Sequence, residues 1–387
     1  MISKKPFRDC PVCRNQNWVE VLHTQHFVLP EGHLLPEEYD LVACSACGFV
    51  YADTTTSQEI YDRYYTEMSK YETDYTCGNN AMFVDRARWI KSFLPEKNAT
   101  VCDIGCGNGQ LLLELHKLGF TDLFALDPSP QCIAAIKAKG INGLAGTIFN
   151  VPLGKKFDAV ILSGVLEHIC DISGFMHSIC SIIRPGGILF VFVPDASRYA
   201  DYDNIPYDYF NIEHINHFEE VSLINLGLAY KLSVVGLLKA EISFESISQP
   251  VIFCAYRNND EVETEWIDHL LTEIRRYLSK TGASRKTDEI IDSLVESNKK
   301  IVVWGAGNYV SRLLAGSRLG QCDILMFVDN DKNKQGNVIR GRLVRAPEVL
   351  LAEGKECIIV TAVAVFSDEV LAQIRSMGLN NRVIVLK

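Results

Sequence analysis

Between residues 101 and 109 the chain reads Val101-Cys102-Asp103-Ile104-Gly105-Cys106-Gly107-Asn108-Gly109, and no other stretch limits the possible folds as tightly. An apolar run entered from Thr100 predicts a buried strand with an acid at its end. Three glycines then bend the chain into a helix from Gln110 to Leu118, closed by Gly119, a residue suited to the left-handed position after a helix end. Without side chains such a turn lets the backbone approach a ligand closely, and it sits at a helix N-terminus, where donor amides collect. A carboxylated or phosphorylated small molecule is the expected guest.

The spacing narrows the choice of guest. A dinucleotide loop has G-x-G-x-x-G, whereas here Asp103 stands two residues ahead of the first glycine in a D-x-G-C-G-x-G pattern. A second strand, Leu123 to Leu126, ends in Asp127, 22 residues after Gly105, where a carboxylate can accept both hydroxyls of a ribose. Ser129 and Pro130 open the next helix as N-cap and first-turn proline. A fourth strand, Phe157 to Ser163, runs into Gly164-Val165-Leu166-Glu167-His168, and Arg184-Pro185-Gly186-Gly187 turns the chain into a fifth, Ile188 to Val193. Leu232 to Ala240 and Val251 to Tyr256 are consecutive strands with no helix between them.

Four motifs in this order resemble the class I S-adenosylmethionine-dependent methyltransferases. The resemblance implies an α/β fold with a doubly wound sheet closed by an antiparallel hairpin, and S-adenosylmethionine as cofactor. It assigns Asp103 to the loop and the cofactor's ammonium, Gly105 and Gly107 to close approach, Asp127 to the ribose and Pro128 to the adenine, with Ser163 at the end of the fourth strand. The third strand departs from the pattern. Gly146-Thr147-Ile148 stands where an aspartate is common, so the adenine amino group falls to Thr147 or to a backbone carbonyl.

With 387 residues the chain exceeds one small core, and three segments divide it: 1–75, 76–257 and 258–387. The net charge of -10 disfavours nucleic acid as a partner. No apolar run reaches the length of a membrane span, and the N-terminal lysines precede no apolar signal region. A cytoplasmic location is expected. Several of the 13 cysteines sit inside apolar strands or helices, as small hydrophobes do in a reducing compartment.

The first segment holds two C-x-x-C turns, Cys10-Pro11-Val12-Cys13 and Cys44-Ser45-Ala46-Cys47, separated by 30 residues. Each turn sets two thiolates on one side, and together they complete a closed four-sulfur site for structural zinc. Unligated cysteines or a redox pair are the alternative. His23, His26 and His33 are alternative ligands, and the plainer reading makes them solvated loop histidines. A tyrosine-rich helical stretch follows from Ser57, in which Tyr65 and Tyr71 are candidates to line the methionine end of the cofactor, packing being the alternative.

Methyl transfer is an in-line displacement, so the protein must hold a nucleophile against the methyl and take its proton. The run Glu213-His214-Ile215-Asn216-His217-Phe218, after the fifth strand, resembles a segment of the sugar C-methyltransferases of deoxysugar biosynthesis, which also carry an N-terminal zinc module and a C-terminal nucleotide fold. That resemblance implies His214 as general base, Glu213 as its partner or an acceptor ligand, and His168 as a further acceptor contact. The plainer alternative makes Glu213 and His214 the start of a surface helix. Asn211 stands where that family tends to have tyrosine, which leaves C-, O- and N-methylation open.

In the third segment Ile301-Val302-Val303-Trp304-Gly305-Ala306-Gly307-Asn308 repeats the strand and glycine turn, and Ile324 to Val328 ends in Asp329. Val310 occupies the third glycine position, so the dinucleotide signal is weak. A Rossmann-like substrate domain is expected, whose loop, with Arg340 and Arg342, receives part of a nucleotide-activated sugar. Two other functions stay on the table: a nucleotide-sensing module whose zinc unit recruits a partner, and an NAD-dependent oxidoreductase.

Overall fold

The computed structural model describes residues 2–68, 80–150, 155–202, 205–244, 247–259, 267, 271–282, 285–363 and 366–386. Tyr71, one of the two tyrosines proposed for the cofactor, lies outside them.

The chain opens with four short strands, β1 (Ile2–Lys4), β2 (Val19–His26), β3 (Glu38–Cys44) and β4 (Val50–Asp53), followed by helices α1 (Gln58–Glu67) and α2 (Asn80–Phe93). The core alternates β5 (Val101–Ile104), α3 (Gln110–Lys117), β6 (Leu123–Asp127), α4 (Pro130–Ala138), β7 (Asn142–Ala145), β8 (Phe157–Ser163), α5 (Ile172–Ile182) and β9 (Ile183–Pro194). After β9 come a two-residue strand β10 (Asn216–His217), α6 (Glu220–Ala229) and the hairpin β11 (Leu232–Phe244) and β12 (Ile247–Asn258). Helices α7 (Thr272–Gly282) and α8 (Lys286–Ser297) lead to β13 (Ile301–Trp304), α9 (Asn308–Gly316), β14 (Ile324–Val328), β15 (Val338–Ile339), β16 (Arg342–Arg345), β17 (Ile358–Thr361), α10 (Ser367–Ser376) and β18 (Val383–Val385).

Three sheets result. The central one has the order β11-β12-β9-β8-β5-β6-β7, parallel from β9 to β7, with β12 antiparallel to both β9 and β11. Numbering its strands from one to seven along the chain gives 3-2-1-4-5-7-6 from the β7 edge. Such parallel strands are buried on both faces, and β5, Ala125 to Asp127 of β6 and the centre of β8 are accordingly covered throughout. The order reverses between β5 and β8, which opens a crevice at the carboxyl ends of those strands.

Sequence signals set the ends of elements as expected, with two adjustments. Ser129 Oγ accepts from Cys132 N, and Pro130 fills the first turn of α4. Strand β9 starts at Ile183, ahead of Arg184 to Gly187, because Phe157 of β8 already pairs with Ile183 before the glycine turn. The amphipathic pattern of Glu261 to Lys280 predicts a helix, and the described helix runs from Thr272 to Gly282.

Packing carries the crevice. Trp89 of α2 meets Phe190, Phe192 and Phe253 edge to face, fixing that helix across β9 and β12. On the opposite face of the sheet, Phe175 and Met176 of α5 and Leu223 of α6 share one core with Cys10, Cys47 and Tyr51 of the first sheet. That first sheet has the order β1-β2-β3-β4-β10, so a strand from beyond residue 210 completes the N-terminal unit. The third sheet, β15-β16-β14-β13-β17-β18, touches the rest through Val28 N, which donates to Ser311 O at 3.1 Å, and through Arg312, which donates to Tyr207 O and to Asp208 Oδ1. Among the described residues no helix is long and apolar enough to cross a membrane.

Candidate active site

At the end of β5 the glycine turn is shaped as a cradle. Gly105 has φ +69°, and a Cβ there would lie 2.7 Å from Val165 Cγ2. Gly109 has φ +78°, and a Cβ would run into Ile136 at 2.5 Å. A side chain at Gly105 would displace Val165, a wall of the pocket, and one at Gly109 would displace Ile136 of α4. Gly107 N donates to Asp127 Oδ2 at 2.8 Å and Ser129 N to Asp127 Oδ1 at 2.9 Å, so the acid at the end of β6 also clasps the turn.

Three buried titratable side chains meet behind the turn. Asp103 is 1% exposed, and burial, with Asp127 nearby, pushes its carboxyl up to about 8 while Arg86 pulls it back. Burial likewise raises Glu167 to about 8. Arg86, from α2, lies over the Phe192 ring and donates to Ser163 Oγ at 2.7 Å, and burial lowers its guanidinium to about 10. Among the described residues Asp103 Oδ1, Glu167 Oε2 and Arg86 Nε have no hydrogen-bond partner. Buried groups in that state are costly, and a guest bringing both an ammonium and a carboxylate would satisfy them. The amino-acid end of S-adenosylmethionine is such a guest: Asp103 would take the ammonium, Arg86 the carboxylate and Asp127 the ribose.

A cavity of about 410 Å³ joins this end to a second group of side chains. Beyond β8, Leu166 to His168 form a short 3-10 turn. His168 Nδ1 lies 2.9 Å from Tyr65 Oη and 3.1 Å from Glu213 O, which fixes the ring. The rings of His168 and His214 meet edge to face, 4.8 Å between centroids. One ligand-type atom each from Glu167, His168 and His214 falls within 4.8 Å of the others, so the three groups face one small volume of the site. Glu213 and His214 do not begin a helix: α6 starts only at Glu220. Asn211 Oδ1 accepts from the backbone amides of both Glu213 and His214 at 2.9 Å, so the residue that replaces the expected tyrosine braces the loop.

Asp103, Gly105, Gly107, Asp127, Pro128, Thr147, Ser163, Tyr65, His168 and His214 all line this one cavity. Glu213 does not line it. Its carboxylate is turned back under the loop, where Tyr64 Oη donates to it at 2.8 Å. Arg86, Glu167 and Tyr64 were not anticipated. For Arg86 the available signal was its place three residues before Trp89 on the helix leading to the glycine turn. Nothing local marked Glu167, since a Glu-His pair after a strand reads equally well as surface.

The N-terminal cysteines form a second candidate centre. The four Sγ atoms of Cys10, Cys13, Cys44 and Cys47 lie within 4.8 Å of one another, with Cys10 to Cys47 and Cys13 to Cys44 each at 3.5 Å. Sulfurs around a tetrahedral zinc stand about 3.8 Å apart, whereas a disulfide needs about 2 Å. The donor set therefore fits zinc. The turn geometry agrees: Arg14 N donates to Cys10 O, Gly48 N to Cys44 O, and Arg14 and Gly48 both take positive φ.

The C-terminal glycine turn is differently furnished. Ala306 N donates to Asp329 Oδ2 at 2.8 Å, and the Lys334 ammonium lies 3.3 Å from the same oxygen. Arg340 donates to Leu314 O and Arg342 to Ile324 O, so both guanidinium groups are directed at carbonyls of their own domain.

The sheet order 3-2-1-4-5-7-6, the glycine cradle and the acid after the second strand together define a class I methyltransferase fold. Residues 80–236 match the family described as methyltransferase domain, and residues 297–385 match the family described as C2185-like, N-terminal. The C-methyltransferase NovU of Streptomyces niveus is 22% identical over 371 residues, covering 87% of this chain and 84% of that protein. The ubiquinone biosynthesis O-methyltransferase of Methylobacterium sp. (strain 4-46) is 36% identical over 103 residues, 25% of this chain and 41% of that protein. The chain thus spans about two fifths of the length of its ubiquinone-pathway relatives. The solved 1,6-didemethyltoxoflavin-N1-methyltransferase of Burkholderia thailandensis aligns with a TM-score of 0.42 at 17% identity, covering 56% of this chain and 97% of that one. Residues 80–236 thus form a methyltransferase domain, and over most of its length the chain is similar to an S-adenosylmethionine-dependent C-methyltransferase.

Proposed function

We propose that the protein transfers the methyl group of S-adenosylmethionine to a ring carbon or hydroxyl of a small acceptor, a nucleotide-linked sugar, with His214 as general base. The observation that carries this reading is the single cavity that runs from the glycine cradle to the paired rings of His168 and His214. A methyl donor held at one end faces a proton acceptor at the other, which is the arrangement an in-line transfer needs. The cofactor would supply the electrophilic methyl, and the chain's own groups would bind it, exclude water and remove the acceptor's proton. His168 orients the acceptor, its ring fixed at Nδ1 by Tyr65 and Glu213 O. Glu213 acts from beneath the loop, as a brace for His214.

Similarity to NovU over nearly the whole length of both chains supports a sugar acceptor and C-methylation. The shorter but closer match to ubiquinone-pathway O-methyltransferases supports O-methylation as a second reading, and Asn211 in place of a phenol leans the same way. Tyr71, outside the described residues, stays a candidate for the cofactor's methionine end. The C-terminal domain receives the nucleotide part of the acceptor, in a cytoplasmic protein whose four N-terminal cysteines hold structural zinc.

Methyl transfer to a panel of nucleotide sugars tests the reading. Turnover should appear with at least one of them, and His214→Gln should lower kcat by about 10² to 10⁴, the range of general-base catalysis, with cofactor affinity unchanged. A near-normal His214→Gln enzyme would remove the base assignment. For the metal, mass spectrometry of the native protein should find one zinc per chain, and none after Cys44→Ser with Cys47→Ser.

A further inference from the structure

Resting on the reading of His168 and His214 above, we infer that Arg8 and Asn216 are positioning residues: a clamp through which the N-terminal cysteine module holds both histidine loops in register. The Asn216 side chain is 1% exposed, and every polar atom of its amide is engaged. Its Nδ2 donates to Leu166 O at 2.9 Å and to Ile169 O at 2.7 Å, the residues immediately flanking Glu167 and His168. Its Oδ1 accepts from Arg8 Nη2 at 3.0 Å. Asn216 lies only two residues beyond His214, so one amide spans the two loops.

Arg8 completes the clamp from the other side. The same Nη2 donates to Cys170 O at 2.8 Å, and Nη1 donates to Ala52 O at 3.2 Å on β4. The guanidinium lies over the Tyr51 ring, 5.4 Å from its centroid. Its backbone is pinned in turn, because the buried Asp53 carboxylate accepts from Phe7 N and Arg8 N. Cys10 follows two residues later, and β4 begins three residues after Cys47.

Backbone pairing runs through the same point. Asn216 pairs with Tyr51 and His217 with Val50, Ala52 N donates to Ile215 O at 2.8 Å, and Ile215 N donates to Glu167 O at 2.8 Å. The His214 loop is therefore a strand of the cysteine module on one side and a partner of the His168 turn on the other. A planar five-donor guanidinium can bridge several carbonyls at once; an ammonium cannot. The module accordingly forms part of the active-site frame and is not a detached recruitment unit.

The test uses the full chain with its metal. Asn216→Ala should speed backbone hydrogen exchange in both 164–170 and 211–218 by roughly tenfold or more, together. It should also shift or broaden the His168 and His214 ring resonances in histidine-labelled protein, while affinity for S-adenosylhomocysteine changes by less than about threefold. Arg8→Lys should give the same signature more weakly. Asn225→Ala, which removes a buried amide bonded to Ile267, should leave both rings unmoved. If Asn216→Ala does not fold, Asn216→Asp keeps an acceptor for Arg8 and loses both donated bonds, and the same readouts apply. Protection retained in both segments, or loosening of 211–218 alone, overturns the clamp. The base assignment fails separately, through an active His214→Gln enzyme whose loops stay ordered, and that result leaves the clamp standing.

Discussion

The molecule contains two strand-to-glycine turns built on nearly the same plan, and they differ in what stands at the strand end. In the core, Asp103 occupies the third position of β5. In the C-terminal domain the corresponding residue of β13 is Val303, fully buried in apolar contacts. Both turns have an acid at the end of the next strand, but Asp127 faces a cavity of about 410 Å³ while Asp329 lies against the Lys334 ammonium. The backbone at Gly105 is crowded by a side chain, Val165, which forms a wall of the pocket. At Gly305 it is crowded by a carbonyl, Ala362 O, 2.7 Å from where a Cβ would be. A glycine turn thus supplies room, and the charges around it decide whether the room becomes a binding site.

The largest effect should separate the two acids. Asp127→Ala is expected to weaken S-adenosylmethionine binding by 100-fold or more, on the order of 3 kcal/mol, as expected when hydrogen bonds to a charged group and the tie to Gly107 are lost together. Asp329→Ala should leave that affinity unchanged. Calorimetry on the pair checks this, and equal losses would erase the distinction.

A smaller effect should appear in the pH dependence of stability. Asp103, raised by burial from 3.8 to about 8, holds its proton in the folded chain and gives it up at lower pH in the unfolded one. The unfolded state therefore binds fewer protons between pH 4 and 8, and stability falls as pH rises through that window. Glu167 acts in the same direction. Melting of the ligand-free protein should decline from pH 5 to 8. Asp103→Asn should flatten part of the decline, by on the order of a few kcal/mol at pH 8, while weakening the cofactor. An unchanged slope in Asp103→Asn would mean that water reaches the carboxylate.

The smallest effect belongs to the second turn. Gly305→Ala combines a φ of +120° with the Ala362 O contact and should cost about 1–3 kcal/mol of stability. Thermal unfolding reads that loss, with cofactor affinity unaltered. Loss of cofactor binding in Gly305→Ala would tie the C-terminal turn to the core site after all.

Much of the fold was legible in the chain because its signals are local. A strand, an acid and a glycine at fixed separations act within a few residues, and the order of such units fixes the sheet. Ten of the expected site residues share one cavity, most of them because the carboxyl ends of parallel strands come together wherever the order reverses, while Tyr65 reaches it from α1. Glu213 shows the limit. Its neighbours in sequence suggested a side chain facing the acceptor, but the phenol of Tyr64, 149 residues away, draws it under the loop.

By itself, then, the sequence determined the glycine cradle, the acid after the second strand, the two C-x-x-C turns and the run of strands and helices between them, since each depends on signals a few residues apart. Tertiary structure alone decided that Arg86 stands beside Asp103, that Arg340 and Arg342 turn onto their own domain, and that Asn216 joins a strand of the cysteine module. Those outcomes depend on which buried polar group finds a partner once distant segments are packed, and spacing along the chain carries no record of that.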